Sequence, residues 1–315
     1  MLPKYLGCLF GLAIGDALGA PVEFLHLPQI KAHYGEKGIA DFDRWGGFKP
    51  GSYTDDTQMS LATAQGCIKA FHNQKVGKLF DPVTEVYQCY LEWFATQDDP
   101  QQRRGPGGTC LSALGSGKMG TIEKKINNSK GCGGVMRTAP AGLAFPADAA
   151  FRRGAEFAAI THGHPSGYLS AGFLSEMIAH IIEGKQLEEA IERSIRTLKT
   201  YDGHEEMLGF VQRALTLSTS QDLVEDSIVA IGEGWVGEEA LGIALYCSLK
   251  YPHDCQAATL AAINHSGDSD STGSITGTIL GTLLGIESIP EKWARGVENS
   301  ETIQKISEEL LEIRP

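Results

Sequence analysis

The amino-acid sequence predicts an all-α protein of many helices over residues 1–315, a length that allows one large domain or two ordinary ones. Apolar residues recur at helical spacing through most of the chain, whereas the strict alternation typical of half-buried strands is scarce. Clusters of glycine and proline, such as 46–51 and 104–108, separate the helical segments and indicate loops. Glycine at every fourth position in two segments favours helices whose backbones lie close together.

Helical spacing delimits the individual helices. They are expected at 5–18, 57–71, 82–96, 108–115, 147–161, 166–183, 187–200, 204–217, 237–250, 255–264, 273–284, 290–294 and 300–313. After the first of them, Pro21 ends helical geometry and leaves Glu23 in an extended segment. On local sequence alone, Glu23 is an ordinary solvated surface acid.

Two glycine stripes mark the first helix and the helix at 273–284. The stripes consist of Gly7, Gly11, Gly15 and Gly19 in one segment and of Gly273, Gly277, Gly281 and Gly285 in the other. Residues four apart share one face of a helix, and glycine there lets a neighbouring backbone approach closely. We therefore expect both helices in the core, where they can pack against each other.

Two clusters of acidic and hydroxyl side chains precede helices. They are Thr54, Asp55 and Asp56, and Asp268, Asp270 and Ser271. Each alone has the composition of a helix N-cap with a charged first turn. Together they offer oxygen ligands without sulfur or imidazole, a set that suits Mg²⁺ or Mn²⁺. Their carboxylates carry more negative charge than one divalent ion needs, so two ions sharing bridging carboxylates are a reasonable extension.

A glycine-rich segment at 131–134 is the next candidate. Its backbone N–H groups can approach an anion closely, although a plain turn is the commoner role of such a segment. Within it, Cys132 is either a reactive thiol or a buried inert one. Arg137 can pair with a structural carboxylate or with substrate.

Two further side chains have both structural and functional interpretations. His162 ends a predicted helix, where hydrogen bonds to carbonyl groups are the default role of a histidine. Trp235 lies in a glycine-flanked loop and can stack on a ligand ring or pack in the core.

Charge and cysteine content exclude several classes of protein. A formal net charge of −12 argues against a general nucleic-acid binder, which normally needs a basic face. The seven cysteines are scattered without a C-x-x-C pair, which favours neither a disulfide framework nor a zinc site. The apolar run 6–20 is shorter than the roughly 20 residues that cross a bilayer. We expect a cytoplasmic monomer without membrane or nucleic-acid partners.

Several segments are informative as an ordered set: GLAIGDALGAPVE at 11–23, TDDT at 54–57, GCGGVMR at 131–137, TH at 161–162 and GDSDS at 267–271. In this order they resemble the ADP-ribosylglycohydrolase family, which includes dinitrogenase-reductase-activating glycohydrolases and mammalian ADP-ribosylarginine hydrolases. The resemblance runs through nearly the whole chain. It implies a compact all-α domain with two Mg²⁺ or Mn²⁺ ions at one end of a cleft.

The resemblance also implies roles for individual residues. The metal ligands would be Thr54, Asp55, Asp56, Asp268, Asp270 and Ser271. Catalysis would involve Asp55, Asp56, Asp270 and Glu23, the last on a mobile flap. ADP-ribose would be bound by Gly131, Cys132, Gly133, Gly134, His162 and Trp235, with the diphosphate on the glycines and the distal ribose near His162. Many relatives have threonine in place of Ser271 and often asparagine in place of Cys132.

These roles lead to an expected reaction. The chain would remove ADP-ribose from modified protein side chains, and Ser271 looks like the arginine-directed branch of the family. Asp55 or Asp56 would orient or deprotonate the attacking water. The alternatives are a hydrolase of ADP-ribose linked to serine or nucleic acid, a two-metal phosphohydrolase, and a non-catalytic ADP-ribose-binding module.

Overall fold

A computed structural model describes residues 1–314 and confirms the all-α fold. The α-helices are α1 (Leu2–Gly19), α2 (Leu27–Tyr34), α3 (Asp55–Lys75), α4 (Pro82–Ala95), α5 (Gly108–Gly115), α6 (Ala139–Ala144), α7 (Ala147–Ala159), α8 (Pro165–Ile182), α9 (Leu187–Leu198), α10 (Glu205–Ser218), α11 (Val224–Ile231), α12 (Gly237–Lys250), α13 (Cys255–Ile263), α14 (Ser269–Leu284), α15 (Glu291–Gly296) and α16 (Ser300–Ile313). Two 3₁₀ helices span Cys132–Arg137 and Ile286–Ser288. Over residues 1–314 there is no β-strand, and no helix is both long enough and apolar enough to cross a membrane.

The antiparallel pair α1 and α14 forms the centre of the fold. Their glycine stripes face each other, so that Gly11 lies against Gly277 and Gly15 against Gly273. A methyl group built on Gly11 would lie 2.1 Å from the carbonyl oxygen of Gly277, so only glycine fits this contact. The expectation that the two striped helices lie in the core against each other is confirmed.

The register of this pair brings the C-terminal end of α1 to the N-terminal end of α14. Gly19 is the last residue of α1, and a methyl group there would lie 2.5 Å from the α-carbon of Asp270. The turn that follows α1 is thereby held beside the first turn of α14.

A buried carboxylate in the last turns of α1 fixes the start of α3. Asp16 accepts hydrogen bonds from the backbone N–H of Thr54 at 2.8 Å and of Thr57 at 2.9 Å, and from the Thr57 hydroxyl. Its side chain is fully buried. The ends of α1, α3 and α14 therefore meet at one place.

The boundaries of α3 and α14 differ from those expected. Both begin earlier, at Asp55 and Ser269, because Thr54 and Asp268 are the N-caps and accept backbone N–H groups of the first turn. The acidic residues expected ahead of the helices thus lie at the caps and within the first turns.

The expectation of an extended segment at Glu23 is wrong. Residues 20–24 form consecutive turns, and the N–H groups of Val22 and Glu23 donate to the carbonyl of Gly19. Pro21 ends the helical hydrogen bonding, but the chain continues in turns and not in an extended conformation. Three short helices, α2, α6 and α11, were also not expected; helices this short carry a weak periodic signal, although α5 and α15, of similar length, were predicted.

Candidate active site

A cleft of about 400 Å³ opens where the ends of α1, α3 and α14 meet. Most of the residues expected from the sequence to form the site line it, namely Glu23, Asp55, Asp56, Gly131, Cys132, Gly133, His162, Trp235, Asp268, Asp270 and Ser271. The remaining two lie just behind this lining. Thr54 caps α3 and accepts the N–H of Asp56, while Gly134 faces the backbone of α8 at Gly167.

The start of α3 presents two buried carboxylates, Asp55 and Asp56. The backbone N–H of Asp55 donates to the carbonyl of Arg104 at 3.0 Å. The guanidinium of Arg104 donates to the carbonyl of Tyr53 at 3.2 Å and is paired with Glu298. Arg104 therefore holds the segment before α3 from behind, a role that the sequence did not reveal.

The start of α14 faces α3 across the cleft. Asp268 caps the helix by accepting the N–H of Ser271, and its own N–H donates to the carbonyl of Glu233 at 2.8 Å. The hydroxyl of Ser271 donates to Oδ2 of Asp56 at 2.9 Å. This bond joins the two acidic clusters directly, although 215 positions separate the two residues in the sequence.

Glu23 completes the acidic lining from the turn after α1. One carboxylate oxygen from each of Glu23, Asp268 and Asp270 lies within 4.8 Å of the other two. Glu23 is half-buried and faces these neighbours, so the local interpretation as a solvated surface acid is wrong. The close register of α1 and α14 explains the difference, since it brings this turn against the first turn of α14.

Electrostatics indicate what this cluster can bind. Burial, followed by repulsion from Asp270, raises the pKa of Asp55, Asp56 and Asp268 well above the usual range. Among residues 1–314 no lysine or arginine forms an ion pair with them. Buried carboxylates that lack cationic partners and offer only oxygen ligands fit hard divalent cations such as Mg²⁺ or Mn²⁺.

The glycine-rich segment reaches the same cleft as part of a 3₁₀ helix, Cys132–Arg137, rather than the expected loop. A methyl group built on Gly134 would lie 2.7 Å from the carbonyl oxygen of Gly167, so close packing excludes a side chain there. The N–H of Cys132 donates to the carbonyl of Trp235 at 3.1 Å. The thiol of Cys132 lies 2.7 Å from Oδ2 of Asp268 and donates to it. The segment is therefore joined to the acidic end of the cleft.

His162 and Arg137 lie beneath this segment. His162 is buried, and its Nδ1 lies 2.8 Å from the hydroxyl oxygen of Thr161, not beside the carbonyl expected for a helix-end histidine. Arg137 donates to the same oxygen at 2.6 Å. A structural carboxylate, one of the two partners considered for Arg137, is absent from residues 1–314. Apolar and sulfur-containing side chains surround the guanidinium.

An aromatic pair stands at the mouth of the cleft. Trp235 stacks on Phe24 with ring centroids 5.2 Å apart, and its indole N–H donates to Glu233 at 3.2 Å. Phe24 has a left-handed φ of 67° and is 72% exposed, both unusual for a phenylalanine. The sequence did not indicate Phe24, whereas a charged residue within the apolar run 6–20 was a usable signal for Asp16.

Comparisons with known proteins identify the family and the fold of this chain. Residues 2–315 match the family model described as ADP-ribosylglycohydrolase. A Rhodospirillum rubrum protein named ADP-ribosyl-dinitrogen reductase glycohydrolase is 28% identical, covering 92% of this chain and 88% of its own. A Serratia proteamaculans protein named as an ADP-ribosylarginine hydrolase is also 28% identical, covering 100% and 80%. A solved structure described as an ADP-ribosylglycohydrolase-related protein complex has the same fold, with a TM-score of 0.73 at 22% identity over 100% of this chain and 99% of that chain.

Proposed function

This chain belongs to the ADP-ribosylglycohydrolase family, and from this premise we propose that it is a metal-dependent hydrolase that releases ADP-ribose from modified protein side chains. We propose ADP-ribosylarginine as the preferred substrate. The observation that carries the proposal is the meeting of two acidic helix starts in one cleft with the glycine-rich segment and His162. The name of the Rhodospirillum relative supports an ADP-ribosylated protein as substrate, and that of the Serratia relative supports arginine as the modified residue.

Two divalent ions, Mg²⁺ or Mn²⁺, would be held by the acidic clusters. Their ligands would be Thr54, Asp55, Asp56, Asp268, Asp270 and Ser271. When bound, such ions supply Lewis acidity and a template for ribose hydroxyl groups. The cluster supports this assignment because its carboxylates are buried and its pKa values are raised.

The chain's own carboxylates would carry the hydrolysis. Asp55 or Asp56 would orient the attacking water and accept its proton, and the buried negative charge would stabilise an oxocarbenium-like transition state. The bond between the anomeric carbon and the guanidine nitrogen breaks, the hydroxyl of water joins the carbon, and a proton ends on the nitrogen.

Glu23 is the carboxyl group that we propose to exchange a proton with the leaving group. Burial is the largest cause of its raised pKa, ahead of repulsion by Asp270 and Asp268. A carboxyl group with a raised pKa is suited to proton transfer near neutral pH.

The other end of the cleft would bind ADP-ribose. Gly131 and Gly133 line the cleft, and their lack of side chains would let the diphosphate approach the backbone. His162 would contact the distal ribose, and Trp235 offers a ring for stacking. Cys132 and Gly134 would hold the shape of this segment through Asp268 and α8.

We further propose that the enzyme works as a cytoplasmic monomer with one domain, residues 1–315. The seven free thiols suit a reducing compartment, and one chain supplies every proposed site residue. Light scattering of the purified protein tests the monomer, since a dimer mass at micromolar concentration would contradict it.

Product analysis tests the function. Purified protein with Mg²⁺ is given arginine-, serine- and nucleic-acid-linked ADP-ribose, and the products are identified by mass spectrometry. We expect ADP-ribose from the arginine conjugate, loss of activity in chelator and in Asp268→Asn, and normal activity in Asp98→Asn, which changes an exposed carboxylate outside the cleft.

Other products would identify another function. Release of AMP or phosphate would show a phosphohydrolase. Preference for the serine or nucleic-acid conjugate would show that this conjugate, and not ADP-ribosylarginine, is the preferred substrate. Binding of ADP-ribose without turnover of any conjugate would show a binding module.

A further inference from the structure

Arg137 is a fully buried cation without a carboxylate partner among residues 1–314. Its contacts are the Thr161 hydroxyl, the Phe157 carbonyl at 3.4 Å, the sulfur atoms of Cys110 and Met59, and the ring of Tyr90 at 4.4 Å. Its Nε has no hydrogen-bond partner within that part of the chain. Burying an unpaired charge is costly, so the position of this guanidinium calls for a functional explanation.

The contact between Arg137 and Thr161 fixes the direction of a hydrogen bond. A guanidinium only donates, so the Thr161 oxygen must accept at 2.6 Å. The threonine hydroxyl then has one proton to place, and Nδ1 of His162 lies 2.8 Å away. If Nδ1 carried the proton instead, the buried Thr161 hydroxyl could donate only to the sulfur of Cys110, a much weaker acceptor than a ring nitrogen.

These directions determine the tautomer of His162. Because Nδ1 accepts from Thr161, the proton of the neutral ring lies on Nε2. Burial and then the charge of Arg137 lower the pKa of His162 to about 3, which keeps the ring neutral. Nε2 is beside the glycine-rich segment, because a methyl group built on Gly131 would lie 3.4 Å from it, and His162 lines the cleft.

We propose that Arg137 and Thr161 are positioning residues that fix His162 as an Nε2–H donor to an oxygen of the ligand bound against the glycine-rich segment. Arg137 contacts the sulfur of Cys110, and Cys110 lines the cleft. The buried positive charge of Arg137 is therefore separated from the ligand site by one side chain and would favour an anionic ligand there. The identity of the ligand as ADP-ribose rests on the proposed function. The order of hydrogen-bond donors in the free protein, from Arg137 through Thr161 to His162, does not depend on the proposed function.

Nitrogen NMR of protein labelled with ¹⁵N in histidine tests the tautomer at pH 7 without ligand. The shifts of the two ring nitrogens distinguish the protonated from the unprotonated one, and the His162 signals are those missing from His162→Gln. The proposal expects a neutral ring with the proton on Nε2. A proton on Nδ1, or a charged ring, would overturn it.

Calorimetric titration of ADP-ribose in chelator tests the consequence for binding. Thr161→Val removes the hydroxyl at nearly constant volume, and we expect about 5- to 10-fold weaker binding, the effect of one hydrogen bond. Thr161→Ser keeps the hydroxyl and should restore the affinity. Equal weakening in both variants would indicate a packing role and overturn the proposal.

The two experiments separate the proposal from the proposed function. If wild-type protein binds ADP-ribose neither in chelator nor in Mg²⁺, the proposed function fails, while the NMR result on the free protein still decides the order of donors. If binding is normal but the proton lies on Nδ1, the positioning role fails alone.

Discussion

Replacing Gly277 with alanine should weaken metal binding although Gly277 is not a proposed ligand. A methyl group there would lie 2.1 Å from the carbonyl oxygen of Gly11, against ordinary contacts of 3.4 Å or more. The helices α1 and α14 must therefore separate by about 1.3 Å, the difference of these distances, because a backbone atom cannot rotate away. Overpacking of this kind costs about 3 kcal/mol, the upper part of its usual range.

This displacement has two measurable effects. In a protein of this size, about 3 kcal/mol lowers the melting temperature by roughly 4–5 °C. Asp268 and Asp270 move with α14, whereas Asp55 and Asp56 stay with α3. Since Mg²⁺ requires near-ideal octahedral geometry, we expect its affinity to fall about tenfold or more, or about 1.4 kcal/mol.

The glycine stripe of α1 supplies a graded series of variants. Methyl groups on Gly7, Gly11, Gly15 and Gly19 would all lie 2.0–2.3 Å from backbone oxygens, so alanine should destabilise each position similarly. Gly19 faces Asp270, whereas Gly7 faces Gly281, about 16 Å further along α14. Alanine at Gly19 should therefore weaken Mg²⁺ binding most and alanine at Gly7 least. Gly209→Ala is the control, because nothing lies within 4 Å of a methyl group there.

The assays are thermal denaturation in chelator and calorimetric titration with Mg²⁺. Unchanged melting temperature and Mg²⁺ affinity in Gly277→Ala would refute the reasoning. Equal loss of affinity at Gly7 and Gly19 would also refute it, since general destabilisation would then explain the effect.

Three further predictions concern charge and protonation. In Asp16→Asn an amide N–H replaces one carboxylate oxygen, so Thr54 or Thr57 loses its acceptor, and the free energy of unfolding in urea should fall by about 2 kcal/mol. An unchanged free energy would show that Asp16 does not fix the start of α3. His162 has a folded pKa of about 3, below its unfolded value, so its contribution to stability is present above pH 6.5 and is lost as the pH falls. Between pH 6.5 and 5, the free energy of unfolding should therefore fall by up to about 2 kcal/mol more in the wild type than in His162→Gln. Parallel plots of this free energy against pH for the two proteins would contradict the prediction. The acidic cluster has raised folded pKa values, so the metal-free protein loses stability as the pH rises through them. The rise in melting temperature caused by Mg²⁺ should consequently be larger at pH 8 than at pH 5, and an equal rise would count against a metal site there.

Structural features that depend on residues close together in the sequence could be predicted. The glycine stripes of α1 and α14 recur every fourth residue because each contact with the facing backbone excludes a side chain. The acidic clusters stand out because helix caps and first turns favour these residues. These two patterns predicted the central helix pair, and they led to a set of proposed ligands that the structure brings together at one cleft.

Features that depend on distant partners could not be predicted in the same way. The pairing of Phe24 with Trp235, the ion pair of Arg104 with Glu298, and the lack of a carboxylate beside Arg137 all arise from tertiary packing. The position of Glu23 likewise follows from the register of α1 on α14, which residue types alone do not specify. A helix as short as α6 gives only a weak periodic pattern.

Anomalous diffraction from a crystal grown with Mn²⁺ tests the central claim most directly. The account predicts two anomalous peaks in the cleft, between the start of α3 at Asp55 and Asp56 and the start of α14 at Asp268 and Asp270. Absence of peaks there at saturating Mn²⁺, or peaks only at surface carboxylates, would contradict it.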